Sequence, residues 1–313
     1  MLSVGGKQVP TIVDTGSIYL FVGTEGNDAQ LTCTDPSAFH YGGTYATFCK
    51  DTMPLRAVGV DASVVELASE VTMGRAKFTE FEPPYAIIGL SANLEGKNLG
   101  GLTPITEQLH PDYLSFQFPS GPQNNGIVRF AALPGDELQG VPSIPLVSPG
   151  GLEYGYTARV SRVDFIADES IRATIKTERD GVYLDRDLQH TKIAETNLAF
   201  FDTGATPPYV ALNGDISLLG DHVTEAMLPF AGPTPFDRIQ FTFDLGDGDH
   251  VVLLSPNMQS YAPGPFLTLP SPSDFPAGLK QLTSVVGLGT LAGYDFQFTF
   301  KDNRATTVQF VQR

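Results

Sequence analysis

Two aspartates close the same kind of word in this chain. Residues 11–22 read TIVDTGSIYLFV and residues 200–210 read FFDTGATPPYV, so Asp14 and Asp202 each follow an apolar run and each precede Thr-Gly. An ionised carboxylate behind buried apolar residues loses its hydration at a cost, and here that cost is met twice. Two carboxylates that come together can do acid–base work. At about 3 Å they cannot both ionise cheaply, so the pair holds one proton between them. The ionised member can take a proton from a bound water while the neutral member donates one to a carbonyl oxygen under attack. Hydrolysis of a peptide bond by that route needs no covalent intermediate, no metal and no organic cofactor. The neighbouring residues suit such a site. Gly16 and Gly204 let the backbone approach closely, and Thr15 and Thr203 bring short hydroxyls able to lock two loops together. Ser17 follows in the first loop and Ala205 in the second.

One Asp-Thr-Gly is weak evidence of a site, because a strand ending in a turn can produce it. The repetition carries the weight. Later in the first half comes Ile87-Ile88-Gly89, and later in the second comes Val285-Val286-Gly287. A long internal repeat of this kind implies two similar lobes, and symmetry gives a reason for two costly aspartates to face one cleft. Rival chemistry is thin. There is no Gly-x-Ser-x-Gly elbow, and His40, His110, His190, His222 and His250 have no metal-ligand spacing.

The elements that must position these residues read as strands. With 32 Gly, 24 Pro, 21 Phe and 11 Tyr in 313 residues, turns and aromatic strand residues point to an all-β architecture. TIVDTG, YATF, SVVELA, LSFQF and GIVRFAAL are the clearest strands of the first half; TARVSRVDFIA, RIQFTF, HVVLLS and YDFQFTF are those of the second. The segment RIQFTFDLGDGDHVVLLS reads as a hairpin around Gly246, Asp247, Gly248 and Asp249. The best helical pattern covers residues 213–228. A polar stretch near residue 150 divides the chain into lobes 1–148 and 149–313. The formal charge of −16 repels phosphate backbones and argues against nucleic acid as a partner. No apolar run reaches the roughly 18 residues of a membrane helix. The two cysteines, Cys33 and Cys49, fit no zinc pattern and can be either one disulfide or two thiols.

Taken together, Asp14-Thr15-Gly16-Ser17, Asp202-Thr203-Gly204-Ala205 and the two aliphatic-aliphatic-Gly elements resemble the pepsin-like aspartic endopeptidases. The closing segment GYDFQFTFKDNRATTVQFV resembles the last hairpin of that family. The resemblance implies a bilobal all-β fold of two pseudo-symmetric, β-barrel-like lobes with the active site in the cleft between them. Asp14 and Asp202 are then catalytic, and the residues after each support the loops. It also implies a hairpin flap, for which Tyr41, Gly42 and Gly43 are the candidates and Tyr45 the competing tip residue. Cys33 and Cys49 fall near its base, where a disulfide would stiffen it. The implied partner is a polypeptide bound in extended conformation, the protein being a monomer that is secreted or extracytoplasmic, although no basic-then-apolar leader is visible. Two positions depart from the family pattern. Ala205 replaces a Ser or Thr whose hydroxyl donates to the adjacent carboxylate, and Phe21 replaces a Trp whose indole N–H anchors the flap Tyr. The alternative is a catalytically inactive binding or inhibitor protein of the same fold, but inactivation commonly replaces an Asp or Gly in one triplet, and both triplets are intact.

Overall fold

The computed structural model describes residues 1–4, 6–23, 33, 36–41, 44–59, 61–78, 86–91, 99–118, 126–134, 138–147, 155–166, 198–205, 209–212, 238–246, 248–256, 266–268 and 282–313. They form two compact units, Met1–Pro111 and Asp112–Arg313. The division expected at 148/149 therefore falls inside the second unit, because the strands between residues 113 and 147 hydrogen-bond into that unit's main sheet. The helix expected at 213–228 lies outside the described residues.

In the first unit, β1 (Leu2–Val4), β2 (Lys7–Val9) and β3 (Thr11–Asp14) lead to β4 (Leu20–Gly23). A hairpin of β5 (Ser37–Tyr41) and β6 (Thr44–Val58) follows, and β6 runs on into a long ribbon with β7 (Val64–Phe78). The unit is completed by β8 (Ala86–Gly89) and a short helix, α1 (Ile105–Leu109). The strands make one sheet in the order β2-β1-β6-β7-β4-β8-β3, with β5 paired to β6. β8 is buried at all four positions, which suits its unbroken aliphatic run. The edge of β7 is partly covered from α1. The Gln108 side-chain amide accepts from the Thr72 N–H at 2.6 Å and donates to the Thr72 carbonyl at 3.2 Å, standing in for a strand partner.

The second unit begins with β9 (Tyr113–Gln117), β10 (Ile127–Arg129), β11 (Ile144–Val147), β12 (Thr157–Arg159) and β13 (Arg162–Ile166). Next come β14 (Leu198–Asp202), β15 (Tyr209–Leu212), β16 (Arg238–Gly246), β17 (Asp249–Leu254) and β18 (Phe266–Thr268). β19 (Leu282–Gly287), a one-turn helix α2 (Leu288–Leu291), β20 (Tyr294–Lys301) and β21 (Arg304–Gln312) close the chain. Ten strands join in the order β10-β9-β20-β21-β11-β12-β14-β19-β15-β18, and β13-β16-β17 form a smaller sheet. The expected hairpin is β16–β17, with Gly246 and Gly248 at φ 93° and 87° in its turn. Asp302 and Asn303, at φ 52° and 62°, make the two-residue turn of β20–β21, a conformation that short polar side chains tolerate. The abundance of Phe is explained by this unit's core. Phe116 stacks on Phe296 with ring centroids 4.6 Å apart, Tyr156 stacks on Phe298 at 3.9 Å, and Phe201 and Phe310 meet at 5.3 Å.

Within each unit the strand that carries the aspartate belongs to the same four-strand pattern. In the first, β3 runs parallel to β8, β8 antiparallel to β4, and β4 parallel to β7. In the second, β14 runs parallel to β19, β19 antiparallel to β15, and β15 parallel to β18. The registers agree as well. Asp14 is level with Gly89 and Phe21 with Ile87; Asp202 is level with Gly287 and Tyr209 with Val285. The repeat read from the sequence is thus a repeat of hydrogen-bonded topology.

Candidate active site

Each aspartate ends a strand whose neighbour supplies a glycine at the same level. β14 reads LAFFD and is buried through Phe201, so its apolar run anchors the strand and delivers Asp202 at the end. β3 also ends at its aspartate, but there Thr11, Ile12 and Val13 are half-buried and Asp14 itself is buried. Asp14 is 5% exposed, and Thr15 and Thr203 are buried beside the two carboxylates.

The turn after each aspartate is set by the carboxylate itself. Gly16 N–H donates to Asp14 Oδ1 at 2.8 Å. In the second unit Gly204 N–H donates to Asp202 Oδ1 at 2.8 Å, and Ala205 N–H donates to the same oxygen at 3.2 Å. These bonds fix the orientation of each carboxylate. At position 205, where a hydroxyl was expected to be missed, the donor to Asp202 is the main chain. Its counterpart Ser17 behaves differently from expectation. The Ser17 Oγ is buried and has no hydrogen-bond partner among the described residues, and Ser17 supports the loop through its carbonyl, which accepts from Ser91 N–H at 2.8 Å.

Gly89 explains why the first loop folds back so closely. A Cβ there would lie 2.5 Å from Ile18 N and 2.6 Å from both Ser17 C and Tyr19 N. The bare glycine lets Gly89 N–H reach the Tyr19 carbonyl at 2.9 Å, while Leu90 N–H reaches the Asp14 carbonyl at 2.8 Å. Behind them, the Thr106 hydroxyl donates to the Ser91 carbonyl at 3.0 Å. In the second unit Leu288 N–H donates to the Ala205 carbonyl at 2.6 Å, tying that loop to the start of α2. The Ser91–Thr106 support was not readable in the sequence, since neither residue belongs to a motif.

The flap candidates map onto a true hairpin. Tyr41 is the last residue of β5 and pairs with Thr44, so two residues, Gly42 and Gly43, separate the strands; both lie outside the described residues. Tyr45 pairs with His40 one step below. Cys33 and Cys49 are joined as a disulfide, which ties the approach to β5 onto β6. A loop of that length contributes on the order of 3 kcal/mol in the chain-entropy picture. Phe21, the residue in place of the family Trp, is buried against Tyr19 and Phe48. Burial pushes the Tyr19 phenol above its ordinary range; the Leu99 backbone eases that rise and the Glu107 charge adds to it. Leu99 does not reach hydrogen-bond geometry, and the Tyr19 hydroxyl has no partner among the described residues.

No family model matches the chain, and no curated protein matches it. Among solved structures it is similar to the crystal structure of an aspartic proteinase from Irpex lacteus, with a TM-score of 0.57 and 15% identity over 96% of this chain and 89% of that one. The fold is pepsin-like. It is all-β, and each of its two units carries one Asp-Thr-Gly turn at the end of the repeated strand pattern.

Proposed function

We propose that the protein is an aspartic endopeptidase in which Asp14 and Asp202 hold one water between them. The observation that carries this reading is the duplicate construction of the two turns. Each aspartate ends the same strand of the same four-strand pattern, level with a glycine, with its Oδ1 bound by the N–H two residues on. A fold has no structural need for two such carboxylates, whereas acid–base chemistry needs a pair.

In the proposed reaction the ionised carboxylate takes a proton from the water as its oxygen attacks the peptide carbonyl carbon. The protonated partner gives its proton to the carbonyl oxygen, which leaves a neutral tetrahedral diol. Collapse of the diol breaks the C–N bond, the leaving nitrogen gains a proton, and the pair returns to its singly protonated state. Thr15 and Thr203 hold the loops, while Tyr41, Gly42 and Gly43 form the tip that covers an extended polypeptide. No cofactor takes part. We assign the protein to a secreted or extracytoplasmic setting as a monomer, in keeping with its disulfide.

The test is digestion of casein or haemoglobin by the purified, activated protein from pH 2 to 7, with and without pepstatin. Pepstatin-sensitive cleavage supports the reading. Its absence from correctly folded, activated protein would favour a binding protein on the same fold.

A further inference from the structure

The hairpin β5–β6 has an unusual seat. Among the described residues β5 pairs with β6, and β6 pairs with β7 from Ala46 onward. Phe48 lies at its base, opposite Ser37 in register and 1% exposed. Its ring meets Phe21 edge to face, with centroids 5.3 Å apart and planes at 72°. Phe21 in turn meets Tyr19 at 6.4 Å and 79°. Two glycines make the space. A Cβ at Gly74 would lie 2.6 Å from the Phe21 ring and 3.0 Å from the Phe48 ring, and a Cβ at Gly100 would lie 2.8 Å from Phe48 and 2.7 Å from the Ser37 hydroxyl.

We propose that Phe48 is a positioning residue: its ring, held between Phe21, Gly74 and Gly100, sets how the hairpin β5–β6 stands over the strand that follows Asp14. The proposal rests on the reading above that the hairpin covers substrate. A phenyl ring at position 21 cannot donate a hydrogen bond, so this contact is made by shape. Edge-to-face rings favour a defined geometry, and a close-packed seat passes a change of side-chain volume on to the backbone around it. The two Cβ-free positions belong to two different segments, β7 and the loop before α1, so the fit is made by three separate parts of the chain. The disulfide at the next residue, Cys49, holds the approach to β5 against the same place.

The experiment compares Phe48→Leu and Phe48→Met, whose longer unbranched thioether can still reach the Phe21 ring, with Leu55→Ala. Leu55 is a buried residue of β6 away from the seat, so its variant reports general weakening of the strand. Two quantities are read: amide hydrogen exchange in β5 and residues 44–48, and the split between KM and kcat on a peptide substrate. In Phe48→Leu, hairpin exchange should quicken at least about tenfold while β8 keeps its protection. KM should rise about tenfold with kcat within about twofold, Phe48→Met should fall between, and Leu55→Ala should spare both readouts. Unchanged hairpin exchange and KM in both Phe48 variants, or equal changes in Leu55→Ala, would overturn the proposal. If the unsubstituted protein cleaves no peptide, the endopeptidase reading fails, and the exchange data alone decide on the seat.

Discussion

A methyl group on Gly89 would sit 2.5 Å from the amide nitrogen of Ile18, and three backbone atoms in that contact have nowhere to go. The loop bearing Asp14 would have to lift from β8, breaking the bonds from Gly89 N–H and Leu90 N–H. Gly89→Ala should therefore lower the unfolding free energy by about 3 kcal/mol or more. Gly126 is the control, because a Cβ there meets only ordinary contacts, 3.4 Å from Gln117 O and 3.6 Å from the Phe118 ring. Gly126→Ala should stay within about 0.5 kcal/mol; equal midpoints for the two variants in urea titration would contradict the close-approach account. At this scale the sequence was informative in part. The repeated Asp-Thr-Gly and the later glycines were visible, because chemistry and close approach restrict residue type. The reason for Gly89 was not, since it depends on a loop 70 to 72 residues back along the chain pressing against one atom. The Ser17 and Tyr19 hydroxyls, without a partner among the described residues, were equally hidden, as partners belong to the fold and not to the residue.

The long ribbon β6–β7 is held by cross-strand side-chain pairs as well as by its ladder. Arg75 Nε donates to Asp51 Oδ2 across the two strands. The Arg75 hydrogen bond is the main cause that holds the Asp51 carboxyl below the usual carboxylate range, with partial burial opposing it. A depressed carboxyl adds stability that is present above its unfolded value, about 3.9, and lost as pH falls through the lower folded value. Both side chains are well exposed, so the contribution is at most about 0.5 kcal/mol after solvent screening. Asp51→Asn should cost that amount at pH 6 and almost nothing near pH 2, with the difference shrinking in high salt. A penalty that stays constant across this range would show that charge is not its source. The sequence showed strands inside YATF and SVVELA, but not that each belongs to a strand of 15 residues. Polar and charged residues on a ribbon exposed along much of both faces blur the alternation on which strand recognition depends.

For the molecule as a whole, buried phenols set the alkaline limit. Burial holds Tyr156 well above the ordinary range for tyrosine and raises Tyr19 and Tyr294 as well, although the Leu254 backbone partly offsets the rise at Tyr294. In the unfolded chain these groups lose their protons near pH 10, while the folded protein retains them. Their stabilising contribution is therefore intact below about pH 10 and is lost as pH rises through the folded values. A phenol that keeps its proton in the fold after its unfolded counterpart has ionised contributes a slope of at most about 1.4 kcal/mol per pH unit. Tyr156→Phe should make urea-measured stability fall less steeply as pH rises above about 10, and an unaltered pH dependence would contradict the assignment. The two-unit organisation was legible because a duplicated motif repeats its strand context. The position of the unit boundary was not, because β9 and β11 show their allegiance only through pairing with β20, β21 and β12, and β10 only through β9.

The central claim is that Asp14 and Asp202 act as one catalytic group. The most direct measurement is kcat/KM on a peptide substrate for Asp14→Asn, Asp202→Asn and the double variant, with folding checked by circular dichroism. The account expects each single substitution to cost at least about a thousandfold, and the double to cost no more than about tenfold beyond either, as befits residues that work as a unit. A single variant that keeps more than about a tenth of the activity while folded would contradict it.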